Sequence, residues 1–89
     1  MNLVVLCVKD RASDAFGNPM FLVAPGQGVR SFGDEINRAA ADNQLYQHPD
    51  DFDLYELGNF DTDTGLFESH APLILVRGKD LSHISQGVS

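Results

Sequence analysis

The 89-residue sequence predicts an α+β fold, a small two-layer sandwich in which one helix packs on an antiparallel sheet of four to five strands in the order β-β-α-β-β. Three observations lead there. Two short apolar runs, residues 3–8 (LVVLCV) and 20–24 (MFLVA), sit on either side of a polar segment holding Gly and Pro. Only residues 28–41 carry the period of an amphipathic helix. Apolar residues then return in strand-like blocks at 52–60, 66–68 and 71–76.

Residues 3–8 are valine-rich, short and stopped by Lys9-Asp10-Arg11, which marks a buried strand. The intervening segment 11–19 is loop chemistry, and its shortness predicts that residues 20–24 return as an antiparallel partner. Pro25-Gly26-Gln27-Gly28 breaks that strand. In the helix, Val29, Phe32, Ile36, Ala39 and Ala40 form one apolar face. Asp34 and Arg38 are spaced for an ion pair on the outside, and Asp42-Asn43 ends the element.

Residues 52–60 alternate with apolar groups on both faces, so this strand is either central or turned to a second subunit. Gly58 within it predicts a bulge. Residues 61–65 (DTDTG) are a turn, 66–68 a returning strand, and 71–76 a last strand with Pro72 near its start. One domain, 1–81, followed by a polar tail, 82–89, is the expected organisation.

Thirteen acids against six bases give a net charge of −7, which opposes long-range attraction to nucleic acid or to an anionic membrane. A DNA contact would need a local basic patch. The bases are Lys9, Arg11, Arg30, Arg38, Arg77 and Lys79. Lys9/Arg11 and Arg77/Lys79 each follow an apolar strand. If those strands are neighbours, the four form a small phosphate-binding patch; otherwise they are solubilising strand ends. The single cysteine, Cys7, excludes an intramolecular disulfide and fits a reducing compartment. The apolar run near the N-terminus is short for a signal peptide, and no segment is long enough to span a bilayer.

Other motifs favour scaffold over chemistry. Counted from Asp61 as an EF-hand loop, the sixth place is Leu66 and the twelfth Pro72, where Gly and Glu are required. His48, His70 and His83 lack metal-ligand spacing, and Cys7 in its apolar strand reads as a small core residue. Gly26-x-Gly28 lacks the third glycine of a dinucleotide loop and reads as punctuation before the helix. No nucleophile motif is present, and Asp50-Asp51 sits in a polar loop rather than in a pocket. The expectation is a non-enzyme without cofactor or metal.

The stretch HPDDFDLYELGNFDTDTG, residues 48–65, carries a resemblance. Its residues His48, Pro49, Asp51, Phe52, Leu54, Leu57, Gly58, Phe60, Asp61, Thr64 and Gly65 fall in fixed order. The order resembles a pattern in a small nonstructural protein of gokushoviruses, tailless single-stranded-DNA phages of the Microviridae. Met20-Phe21-Leu22-Val23-Ala24-Pro25 and Arg30-Ser31-Phe32-Gly33-Asp34 look like the family's preceding strand and helix; the likeness covers most of residues 1–70. The resemblance implies a DNA-binding accessory protein of genome replication or packaging. It would act in the host bacterial cytoplasm, outside the mature virion, with single-stranded DNA or the viral replication machinery as partner. No catalytic or DNA-contacting residue carries over from it. The alternative is an acidic module that binds a host or viral protein without nucleic acid. Under either reading a homodimer is expected. A domain this small buries only roughly 60–65% of its unfolded surface, and the run Leu73-Ile74-Leu75-Val76 would be a hazard on an open sheet edge.

Overall fold

The structure, a computed structural model, describes residues 1–83. The elements in chain order are β1 (Asn2–Asp10), β2 (Ala15–Phe16), β3 (Met20–Leu22), α1 (Pro25–Ile36), α2 (Gln44–Gln47), a turn of 3-10 helix (Pro49–Asp51), β4 (Phe52–Asp61), β5 (Phe67–Arg77) and α3 (Gly78–Leu81). The five strands form one antiparallel sheet in the order β2-β1-β4-β5, with β3 also paired to β1. β3 lies beside Val4–Leu6 and β2 beside Lys9 and Asp10, so the two short strands share one edge of β1. The predicted α+β sandwich is therefore the observed one.

The helices cover a single face of the sheet. Val4, Leu6, Phe52 and Leu54 pack against Phe32 and Ile36 of α1, with Val29, Leu45 and Leu81 closing the margins. Each fully buried side chain of this kind contributes roughly 1.5–3 kcal/mol. α1 lies close to β1 because Gly28 has no side chain: a Cβ there would run into the Leu6 side chain and stand 3.0 Å from Leu22 Cδ1.

α1 begins three residues earlier than the sequence predicts and stops five earlier. Pro25 presets the first helical φ, and Gln27 Oε1 accepts from the N–H groups of Val23 and Ala24 at 3.2 and 3.4 Å. At the other end, Asn43 Nδ2 donates to the carbonyls of Glu35 and Arg38, both at 2.9 Å, and Asn37 Nδ2 to those of Gly33 and Leu81. These amides satisfy the last carbonyls and turn the chain away. Ala39 and Ala40 thus lie beyond the helix. Arg38 forks onto Glu35 at 2.6 Å instead of pairing with Asp34.

The two predicted C-terminal strands are one. β4 is long enough to template a continuous β5, and Pro72 stands within it rather than at its start. A proline is tolerated there because β5 is an edge strand and its register slips between Ser69 and Leu73. The fifth strand of the sheet is instead Ala15–Phe16. The predicted bulge sits where expected. Gly58 has a φ of +154°, and a Cβ would collide with the Glu68 carbonyl oxygen of β5. Packing continues past α3: Ser82 is buried and the His83 N–H donates to Asn37 Oδ1 at 2.8 Å. The rest of the predicted tail, 84–89, lies outside the described residues.

Candidate nucleic-acid interface

Residues paired across an antiparallel sheet share a face. Val4, Leu6 and Val8 face the helices, so Leu3, Val5, Cys7 and Lys9 face the other way. Their partners on that open face are Phe60, Gly58, Tyr55 and Asp53 of β4, then Phe67, Ser69, Ile74 and Arg77 of β5. Phe21 of β3 and Phe16 of β2 join from the other side of β1, opposite Val5 and Lys9. No described helix packs on this face.

It is an aromatic surface. Phe21, Phe60 and Phe67 form one group: Phe60 and Phe67 have ring centroids 4.7 Å apart, and Phe21 meets both edge-on at 5.8 and 6.0 Å. Phe16 and Tyr55 form a second, edge-to-face pair at 5.5 Å. Phe21 and Tyr55 are the cross-strand neighbours of Val5 and Cys7, which are buried although no helix covers them. Phe67 keeps 63% of its surface exposed, and Phe16 and Phe21 are also exposed. Sequence reasoning did not single out these rings. The signal was the two-sided apolar pattern of β4; Phe16 and Phe21 stood without a period to assign them a face.

Charge on this face is sparse and lies at one end. Among the paired positions only Lys9, Asp53 and Arg77 are charged, and they form a row across β1, β4 and β5. The other acids of the strands fall elsewhere: Glu56 and Glu68 face the helical side, as their partners Leu6 and Asn59 do. Asp53 is 2% exposed, and its Oδ1 has no hydrogen-bond partner among the described residues. Burying a carboxylate is costly unless cations stand close; Arg11 Nη1 lies 3.7 Å from Oδ2.

The structure places the six predicted bases in two groups. Lys9, Arg11, Arg77 and Lys79 end β1 and follow β5 at the same end of the sheet, but β4 separates their strands and sets Asp53 between them. Lys9 is engaged: its Nζ is 3.0 Å from Asp14 Oδ1, which raises its pKa, and lies 5.4 Å from the centre of the Phe16 ring. Arg30 and Arg38 belong to α1 and its exit, on the helical side, and Arg38 is held by Glu35. Arg30, Arg77 and Lys79 make no ion pair among the described residues.

Other groups have structural partners. The Cys7 thiol donates to the Gly17 carbonyl at 3.1 Å, and burial pushes its pKa up. His70 bridges the Ala71 carbonyl (2.7 Å) and Glu56 Oε2 (3.0 Å). Asp61 Oδ1 accepts the Asp63 N–H at 2.8 Å, fixing the predicted turn and holding its carboxyl below the usual range. Among the described residues no three His, Cys, Asp or Glu come together as a metal-ligand set.

Fold and face together define a small one-sided α+β sheet protein with an aromatic surface left open. The chain belongs to the family described as Phage ORF5 protein, which it matches over residues 3–81, and it is therefore a phage protein. It matches no curated protein and no solved structure. Among the described residues no helix is long and apolar enough to cross a membrane.

Proposed function

We propose that this phage protein is a nonstructural accessory that binds single-stranded DNA on the open face of its sheet during genome replication or packaging. The observation that supports the reading is the face itself: exposed aromatic rings on a surface whose one acid, Asp53, is buried. Unpaired bases present flat π-surfaces that stack on such rings whatever their sequence, at about 1–3 kcal/mol per base. A duplex hides those surfaces, so single strands are preferred. Lys9, Arg11, Arg77 and Lys79 stand at one end to take phosphates, while most of the protein's acids lie on the helical side and in turns. Arg30 and Arg38 have no part in this binding. The likeness of residues 48–65 to the gokushovirus protein supports placing it in those phages, acting in the host cytoplasm and left out of the virion. In this role the protein binds DNA and catalyses no reaction.

Fluorescence anisotropy with labelled single-stranded and duplex DNA over a salt series tests it. Single strands bind more tightly, and affinity falls as salt rises, with a logarithmic slope of roughly 0.7 per phosphate contact. Phe21→Ala with Phe67→Ala weakens binding by about tenfold or more, and Arg77→Ala with Lys79→Ala lowers the salt slope. Absence of binding at low salt would remove this reading in favour of the protein-interaction module, for which the exposed apolar stretch of β5 is the favouring observation.

A further inference from the structure

We infer that single-stranded DNA lies along β1 rather than across the sheet and stacks non-adjacent bases on the two aromatic groups, so that the shortest fully held ligand is an oligonucleotide of about four nucleotides. This rests on the reading that the open face binds single strands, and adds to it the path, the length and a role for Phe16. The two groups share one build. Phe16, 42% exposed, stands edge-on to the half-buried Tyr55, and Phe21 and Phe67, 43% and 63% exposed, stand against the half-buried Phe60. Each exposed ring is braced by a neighbour, so little freedom is lost when a base settles on it.

The register sets the separation of the groups. Phe21 is opposite Val5 and Phe16 opposite Lys9, while Phe60 is opposite Leu3 and Tyr55 opposite Cys7. Along either edge of β1 the groups are four residues apart, which is about 13 Å at the rise of a strand. Successive bases of a stacked strand are only about 3.4 Å apart. Neighbouring bases therefore cannot occupy both groups, and other nucleotides must bridge them. The bridge passes over Val5, Gly58 and Ser69, paired across β1, β4 and β5, none of which offers a ring.

Charge sets the direction of the path. Lys9, Asp53 and Arg77 form a row level with Phe16, whereas no charged residue is paired at the levels of Leu3 and Val5. A strand laid across the sheet would follow one level only. It would meet the charged row, with Asp53 in its middle, or the rings of a single group. A strand laid along β1 meets both groups and carries its phosphates to Lys9 and Arg11 at the end. The two groups then differ in their response to salt: Phe16 works beside the cations, and Phe21 and Phe67 work away from them.

Competition of unlabelled oligothymidylates, roughly two to twelve nucleotides long, against a labelled single strand decides the matter, with circular dichroism reporting the fold of each variant. Wild-type affinity steps up about tenfold or more between roughly two and six nucleotides and climbs only slowly beyond. Phe16→Ala removes the step, as does Phe21→Ala with Phe67→Ala, and Phe16→Trp keeps it. Should the alanine variant misfold, Phe16→Leu fills the same place without a ring and carries the decision. The loss from Phe21→Ala with Phe67→Ala is the same factor at low and high salt, so the salt slope is unchanged. A smooth rise with length, or a step that Phe16→Leu retains, overturns the inference and leaves single-strand binding standing. A salt slope that falls in the Phe21→Ala, Phe67→Ala variant overturns the path along β1. Failure of the longest oligonucleotide to bind at low salt overturns the inference and the proposed function together.

Discussion

The two faces of this sheet are built from the same strands and have opposite fates. On the helical face the side chains are aliphatic for the most part, and α1, α2 and α3 bury them: Leu6, Leu54 and Ile36 are sealed from solvent. On the open face the side chains are aromatic, and they cover one another without being covered. Two-sided apolar strands usually mean a sheet with layers on both sides. Here one layer is missing, and the rings in its place can shield Val5 and Cys7 while keeping outer surfaces free for a ligand. One face holds the fold together; the other is available for binding.

The comparison is broken most severely from the helical side. Leu54→Ala removes a fully buried side chain at the centre of the core and is expected to cost about 2–5 kcal/mol, read as a lower midpoint in urea. The same truncation at Phe67, a residue mostly in water, is expected to cost about 1 kcal/mol or less of stability. Comparable losses at the two sites would mean that the faces are not distinct. Gly58→Ala comes next. It introduces a Cβ where φ is +154° and where the Glu68 carbonyl blocks it, at an expected cost of about 1–3 kcal/mol. Its signature is local, namely faster amide exchange in β5 than in β1. Uniform exchange across the sheet would argue against a β4–β5 hairpin that loosens by itself.

A smaller effect sharpens the open face. Asp53→Asn keeps the shape of the buried side chain and removes the one negative charge among the paired positions of that face. If phosphates meet Lys9, Arg11 and Arg77, single-stranded DNA binds the variant about two- to threefold more tightly at low salt, and the gain fades as salt screens it. Weaker binding would mean that Asp53 positions those cations rather than competes for them.

Much of the helical face was legible from sequence, because a buried face leaves a period. Phe32 and Ile36 at helical spacing and Leu54 in an alternating strand announced themselves, and Gly58 marked the bulge. What escaped depended on partners distant in the chain. The helix ends were set by Asn37 and Asn43, whose amides reach carbonyls of Gly33, Glu35, Arg38 and Leu81. No local rule foresees those bonds. The fusion of residues 66–68 and 71–76 into β5 required β4 as a template, since Pro72 argues locally for a break. The basic residues were legible as a set but not as an arrangement. Composition named six, and only the strand order revealed that β4 comes between Lys9 and Arg77 and puts Asp53 there. The aromatic face was hidden for the same reason, its rings coming from four different strands.

The gentlest perturbation addresses the free end of the comparison, the β4–β5 hairpin beyond the helices. His70 Nδ1 meets the Ala71 carbonyl and Nε2 meets Glu56, so both ring nitrogens serve best as donors. The Ala71 carbonyl contributes most and the Glu56 carboxylate next to a pKa raised above the ordinary 6.5. With the folded value above the unfolded one, the added stability is complete below pH 6.5 and is lost as pH rises through the raised value. The bridge is solvent-exposed, so the loss is confined to the hairpin and is small. An NMR titration of the His70 ring should give a midpoint above 6.5, with β4–β5 amides near Glu56 shifting along the same curve. In Glu56→Gln the ring should titrate lower while keeping its bond to Ala71. A ring that titrates at or below the ordinary value would mean that the bridge does not persist in solution, and that nothing but backbone pairing ties this part of β5 to β4.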